Sequence, residues 1–319
     1  MITKKTVFIL GAGSSVPYGF PTGLGLRHLI IKDFFQIQQE MCIRLGIVGS
    51  DRDDILNAVR KFDNTFRHSY NNSIDRFLSR NPDHVEIGKT AIIKIIKRLE
   101  YESKIQTDPK LRDDDWYSHL FDIMCEDFRE PDKYNISDNN ISFITFNYDR
   151  SLEYFFHQCL TNSFSSIDAH SINKEFSKIN FLHVYGKICK LDSDPIDSTP
   201  RHLYNMKLQD LDYRDCLDNI HIISEERKSE EDSEIKSLIS EAEKIYFLGF
   251  DYAIENLETL GFGEIHLDKD LIVFGTAYDK KPEEIKRISR WFKNQYDGME
   301  QFYFRNLKSL ELLRTFPLE

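Results

Sequence analysis

The chain is short of the features that would place it in several large classes. Five of its 319 residues are Cys, at Cys42, Cys125, Cys159, Cys189 and Cys216. No two form a C-x-x-C pair, so a four-Cys zinc site is not expected. No apolar run approaches the ~20 residues of a membrane span. The opening MITKKTVFIL moves straight into a strand pattern without an apolar signal core, and with the odd, scattered cysteines this predicts a reducing, cytoplasmic setting. Positive charge is also scarce: 42 Lys+Arg stand against 53 Asp+Glu, a formal charge of −11. Such a chain repels a polyanion on average, and no direct nucleic-acid binding is expected.

Aromatic residues, by contrast, are plentiful, with 24 Phe and 15 Tyr to fill a core. Short apolar runs at Val7–Leu10, Ile141–Phe146, Phe181–Tyr185, Ile220–Ile223, Ile245–Gly249 and Leu271–Phe274 read as strands. Their continuous apolarity suits a parallel sheet covered on both faces. Segments of helical period lie between them, at Leu152–Cys159, Ser233–Glu243 and Pro282–Phe292. Alternating strands and helices predict an α/β fold, a Rossmann-like doubly wound sheet of about six strands. From Leu24 to Phe128 the strand signal lapses and helical spacing takes over, which predicts a mainly helical insertion within a single domain. The stretch Leu191–Leu217, with LDSDPIDSTP, reads as an irregular loop or lid.

The strongest local signal is TVFILGAGSSVP, Thr6–Pro17. A strand running into Gly11-Ala12-Gly13-Ser14-Ser15 suits a phosphate loop, because glycines admit a pyrophosphate to the backbone and a helix start offers free N–H groups. The competing reading is a tight turn with no ligand. The dehydrogenase pattern G-x-G-x-x-G needs a glycine where this chain has Val16, which counts against hydride transfer. Downstream, Pro21-Thr22-Gly23 makes a punctuated loop that either folds over a ligand or merely connects.

Two further strand ends carry chemistry. Ile141–Phe146 leads into Asn147-Tyr148-Asp149, at the carboxyl edge where open α/β sheets gather ligands. Asn and Asp are also preferred helix caps, so one of the pair is expected to cap. In Phe181-Leu182-His183-Val184-Tyr185-Gly186, alternation puts His183 and Tyr185 on one face. His183 is either a satisfied core histidine or a base near neutral pH.

Taken in order, GAGSS, the Pro21-Thr22 loop, Ser73-Ile74-Asp75-Arg76-Phe77-Leu78, Thr145-Phe146-Asn147-Tyr148-Asp149, His183-Val184-Tyr185-Gly186 and Phe247-Leu248-Gly249-Phe250 with Asn256 resemble the bacterial sirtuin-like NAD-hydrolase family associated with antiphage defence. The resemblance implies NAD as substrate, with no zinc. It carries pyrophosphate contacts onto Gly11, Ala12, Gly13, Ser14 and Ser15. The water and nicotinamide ribose go to Asn147, with Asp149 in support, and the adenosine half to Gly249 and Phe250. Pro21, Thr22, Asp75, Gly186 and Asn256 are carried along as further dinucleotide contacts. The products implied are nicotinamide and ADP-ribose, released by a restrained effector that works as a homo-oligomer or with a defence-system partner subunit.

This chain departs from related patterns twice. Sirtuin deacylases resemble it in the GAGS loop but carry a four-Cys zinc module, so deacylation is disfavoured. The family's histidine directly precedes the glycine, where this chain has Tyr185, with His183 roughly 6.5 Å earlier along a strand. Three readings therefore stay open: His183 as base, Tyr185 in its place, or a catalytically silent module that binds NAD or ADP-ribose.

Overall fold

The structure is a computed structural model that describes residues 1–44, 50–103, 105, 113–126, 135–164, 167–191, 193–194, 202–207, 216–223, 225, 229–296 and 300–318, with backbone alone at 40–44 and 50–52. Strands β1 (Thr6–Leu10), β2 (Ile141–Thr145), β3 (Asn180–His183), β4 (Lys244–Leu248), β5 (Ile272–Thr276) and β6 (Phe302–Arg305) form one sheet. Its order is β3-β2-β1-β4-β5-β6 and every pairing is parallel. That is the Rossmann-like doubly wound order, with the strand order reversing between β1 and β4. β1, β2 and β4 are buried at every position, because helices cover both faces and leave no solvent side for alternation.

Helices α1 (Gly23–Lys32), α2 (Phe34–Arg44), α3 (Ser50–His68), α4 (Ile74–Ser79), α5 (Val85–Tyr101) and α6 (Trp116–Cys125) all lie between β1 and β2. α3 buries Val59, Phe62 and Phe66, a three- and four-residue spacing that makes one apolar stripe. α5 is submerged on almost every side, from Ile87 to Ile96. The periodicity of Arg27–Leu45 predicted one helix; the structure breaks it at Asp33, which closes α1. After β2 come α7 (Ser151–Ser163) and α8 (Ala169–Phe176), and later α9 (Ser229–Ser240), α10 (Ile254–Thr259), α11 (Pro282–Gln295) and α12 (Ser309–Thr315).

The expected strand count is met with one exchange. Ile220–Ile223 makes only an isolated bridge, Ile220 to Gly186. Its apolarity serves burial of Ile220 and Ile222 beneath the loop after β3, which needs no ladder. The strand missed by the search for continuous apolar runs is β6, an edge strand whose exposure alternates along Phe302–Arg305. Most of the expected lid, 191–217, lies outside the described residues.

The cysteine reading is corrected too. Cys189 and Cys216, 27 residues apart, meet with Cα atoms 5.2 Å apart and are joined as a disulfide. Both are fully buried. Sequence distance hid the contact because the turn after β3 brings the two segments together.

Candidate functional site

At the reversal between β1 and β4 two loops come into backbone contact. The N–H of Gly11 donates to the Leu248 carbonyl and that of Gly13 to the Gly249 carbonyl, both at 3.0 Å. A Cβ on Gly11 would sit 2.5 Å from the Gly249 oxygen, and one on Gly249 only 2.0 Å from the Ser14 nitrogen. Gly249 also has a φ of +60°, in the left-handed region that suits glycine. These glycines are therefore required by the packing of one loop on another. The amides of Gly11 and Gly13 are thus engaged by the last residue of β4 and the residue after it, Leu248 and Gly249. GAGSS continues as a 3-10 helix, Ala12–Tyr18, rather than an α-helix. Ser14 is buried, with its hydroxyl on the Gly11 carbonyl at 2.8 Å.

Beside this contact opens a cavity of about 870 Å³, within the usual range for small-molecule sites. Among the residues that the resemblance implied, its lining takes Gly11, Ala12, Gly13, Thr22, Asp75, Tyr185, Gly249, Phe250 and Asn256. Ser14, Ser15, Pro21, Asn147, Asp149, His183 and Gly186 are not in the lining. Thr22 also caps α1, its hydroxyl accepting from Gly25 N–H at 3.2 Å. Gly186, at φ +70°, turns the chain where any Cβ would strike the Asn219 carbonyl at 1.8 Å.

Asn147 is held from two directions. Its side-chain nitrogen donates to the hydroxyls of Ser14 and Ser15, each at 3.3 Å, and its backbone carbonyl accepts from His183 Nδ1 at 2.9 Å. Its Oδ1 is buried and has no hydrogen-bond partner, a costly condition for an amide oxygen. The neighbouring Phe146 does line the cavity and meets Phe250 edge-on, with ring centres 5.2 Å apart.

His183 is occupied on both nitrogens. Nδ1 faces the Asn147 carbonyl and Nε2 faces Glu153 Oε1 at 2.7 Å. Both partners are acceptors and both ring nitrogens are engaged by them, and His183 is not in the cavity lining. Glu153 is itself buried, which alone would raise its pKa, but the charges of His183 and Lys187 hold it well below the usual carboxylate range. Lys187 reaches Glu153 at 3.3 Å and Asp194 at 2.9 Å. Neither Glu153 nor Lys187 was singled out from sequence, where each looks like an ordinary helix or loop charge.

The expected cap is not made by Asn147 or Asp149, since the N-cap of α7 is Arg150; Asp149 Oδ1 instead accepts Ser151 N–H at 3.1 Å and also bonds the Ser151 hydroxyl. Burial pushes its carboxyl up to about 6, against the lowering by the Ser151 hydrogen bonds. Asp75 accepts hydrogen bonds from the Tyr148 and Ser73 hydroxyls, and burial raises its pKa despite them. Tyr185 donates to Asn256 Oδ1 at 3.2 Å.

The cavity also gathers residues that motif reading missed. Arg76 and Glu255 meet across it at 3.2 Å, and Tyr278, Lys280 and Lys308 line the ends of β5 and β6. The strand-end rule applied to Ile272–Thr276 points at Tyr278 and Lys280; Lys308 follows the strand that the apolar-run search passed over. Among the described residues, Cys189, His202 and Cys216 bring potential metal-binding atoms within 4.8 Å of one another, but the two sulfurs are spent on the disulfide. No helix among them is long and apolar enough to cross a membrane. Compared with known proteins, the chain matches no family model and no curated relative.

Proposed function

We propose that this cavity binds NAD and that the protein hydrolyses its nicotinamide–ribose bond, giving nicotinamide and ADP-ribose. The observation that carries the proposal is Asn147 Oδ1, a buried acceptor without a partner, held by Ser14, Ser15 and His183 directly after Phe146 in the chain, which lines the cavity. The motif order of the sequence supports it, as does a cavity at the carboxyl ends of the strands, where doubly wound sheets take nucleotides.

Cleavage at an anomeric carbon builds positive charge on the sugar, so the site must place a water and stabilise that charge. Asn147 Oδ1 accepts a hydrogen bond from that water or from a ribose hydroxyl. Tyr185 lines the cavity and donates its hydroxyl proton to Asn256 Oδ1, which orients the ring at the cavity wall. His183 acts as a positioning residue through the Asn147 carbonyl. Purified protein incubated with NAD should release nicotinamide, and Asn147→Ala should lower that release by about 100-fold or more with an unchanged melting curve. Undiminished release from the variant would sink the assignment.

A second reading has its own support: with both His183 nitrogens engaged and Asp149 bonded to Ser151, neither stands in the cavity lining as a base. A module that binds NAD or ADP-ribose without turnover would give a calorimetric signal and no nicotinamide. In the antiphage setting the activity is restrained until a trigger arrives, through self-assembly or a partner subunit. Gel filtration alone and with co-encoded proteins tests this, and a fully active monomer would refute it.

A further inference from the structure

The strand order divides the cavity. The Gly11–Gly13 loop follows the central strand β1; Phe146 and Tyr185 follow β2 and β3 on one side, while Tyr278, Lys280 and Lys308 follow β5 and β6 on the other. Adjacent strands lie about 4.8 Å apart, which puts the β5 end about 10 Å from β1. If the reacting ribose lies toward Asn147, the adenosine ribose lies toward β5. This step rests on the reading of the site given above.

Enzymes that take NAD commonly set a carboxylate on the adenosine 2′-hydroxyl, whereas those that take its 2′-phosphorylated form set a cation there. The β5–β6 end of this cavity presents two ammonium groups. Lys280 and Lys308 are half-buried, and neither forms an ion pair among the described residues. Lys308 Nζ stands 5.6 Å from the centre of the Tyr278 ring, which is 60% exposed and available as a flat apolar platform for an adenine. Of the other carboxylates in the lining, Asp75 bonds Tyr148, Glu255 pairs with Arg76 and Asp251 accepts from the Ala253 N–H, while Asp113 and Asp114 lie just before α6, Asp114 within electrostatic range of Lys308. Asp114 is committed to the backbone N–H groups of Ser309 and Leu310, at 3.2 and 2.6 Å, and Asp113 is exposed. Asp279 is not in the lining.

We propose that Lys280 and Lys308 bind a phosphate on the adenosine ribose, so that the site takes NADP, and 2′-phospho-ADP-ribose, in preference to NAD and ADP-ribose. One charge-assisted contact is worth about tenfold in affinity, and two lysines are expected to give at least that preference. It should shrink as salt rises, because the lysines are open to solvent.

The test is calorimetric titration of the intact protein with NADP, NAD, 2′-phospho-ADP-ribose and ADP-ribose, which requires no turnover. The expected result is binding of the phosphorylated member of each pair about tenfold more tightly or better. In Lys280→Ala/Lys308→Ala the ratio should collapse to about one, while Lys281→Ala, whose residue caps α11 outside the lining, should keep it. Equal affinity within each pair, or a ratio that survives the double variant, overturns the proposal and leaves the dinucleotide site standing. Failure of all four ligands to bind overturns both. Binding without nicotinamide release removes the hydrolase reading and leaves the phosphate preference intact.

Discussion

The two sides of the strand-end region solve opposite problems. At the ends of β2 and β3, Glu153, His183, Lys187 and Asp194 form a linked chain of polar and charged groups, the side chains of the Glu and His only 3% and 5% exposed. Toward the mouth, Arg76 and Glu255 pair with about half their surfaces in water, and among the described residues Lys280 and Lys308 form no salt bridge, Lys308 acting on Asp114 only at longer range. Burial explains the difference in organisation. A charge removed from water must be matched by neighbours at once, so the closed side is rigid and holds Asn147 still. A charge left in water can wait for a ligand, so recognition belongs to the open side.

The sharpest way to break this contrast is Glu153→Ala. It leaves His183 and Lys187 buried without their shared acceptor, and a loss of about 3–5 kcal/mol in unfolding free energy is expected. Chemical denaturation would reveal it, and a loss below about 1 kcal/mol would mean that the cluster is not electrostatically closed. Wild-type Glu153, with its depressed folded-state pKa, contributes stability that is present above the ordinary carboxylate range and lost as pH falls below it.

Asp149 gives a pH test of opposite sign. Its folded-state pKa is raised to about 6, so its contribution is fully present below the unfolded value of about 4 and is lost as pH rises through about 6. The stability difference between wild type and Asp149→Asn should therefore move against the wild type by about 2–3 kcal/mol between pH 4 and 7. A flat difference across that window would show that the carboxyl is not desolvated. The smallest effect belongs to the mouth: Arg76→Ala should cost less than about 1 kcal/mol, and a larger loss would show that the Arg76–Glu255 bridge is structural.

Much of the fold was legible in the sequence, for reasons that also mark the boundary of such reading. Buried parallel strands announce themselves by continuous apolarity, which located β1, β2, β4 and β5. The same rule passed over β6 and promoted Ile220–Ile223, since burial and ladder pairing are separate conditions. At the site, Gly11, Gly13, Gly249, Tyr185 and Asn256, separated in sequence, line one cavity. The role of His183 was out of reach because it depends on Glu153, 30 positions away and on α7. The cations of the open side were missed because lysine is common on any surface and acquires meaning only from the cavity it lines.

The contact between Gly13 and Gly249 has a consequence for how this chain can change over time. Either loop, given a side chain, strikes the backbone of the other, so an alteration at one glycine cannot be relieved by an alteration at its partner, which has no side chain left to shorten. Drift at Gly11, Gly13 or Gly249 is thus closed one step at a time. Descendants of this sequence that keep the sheet should keep all three together, or lose them together along with the turn geometry that joins β1 to β4.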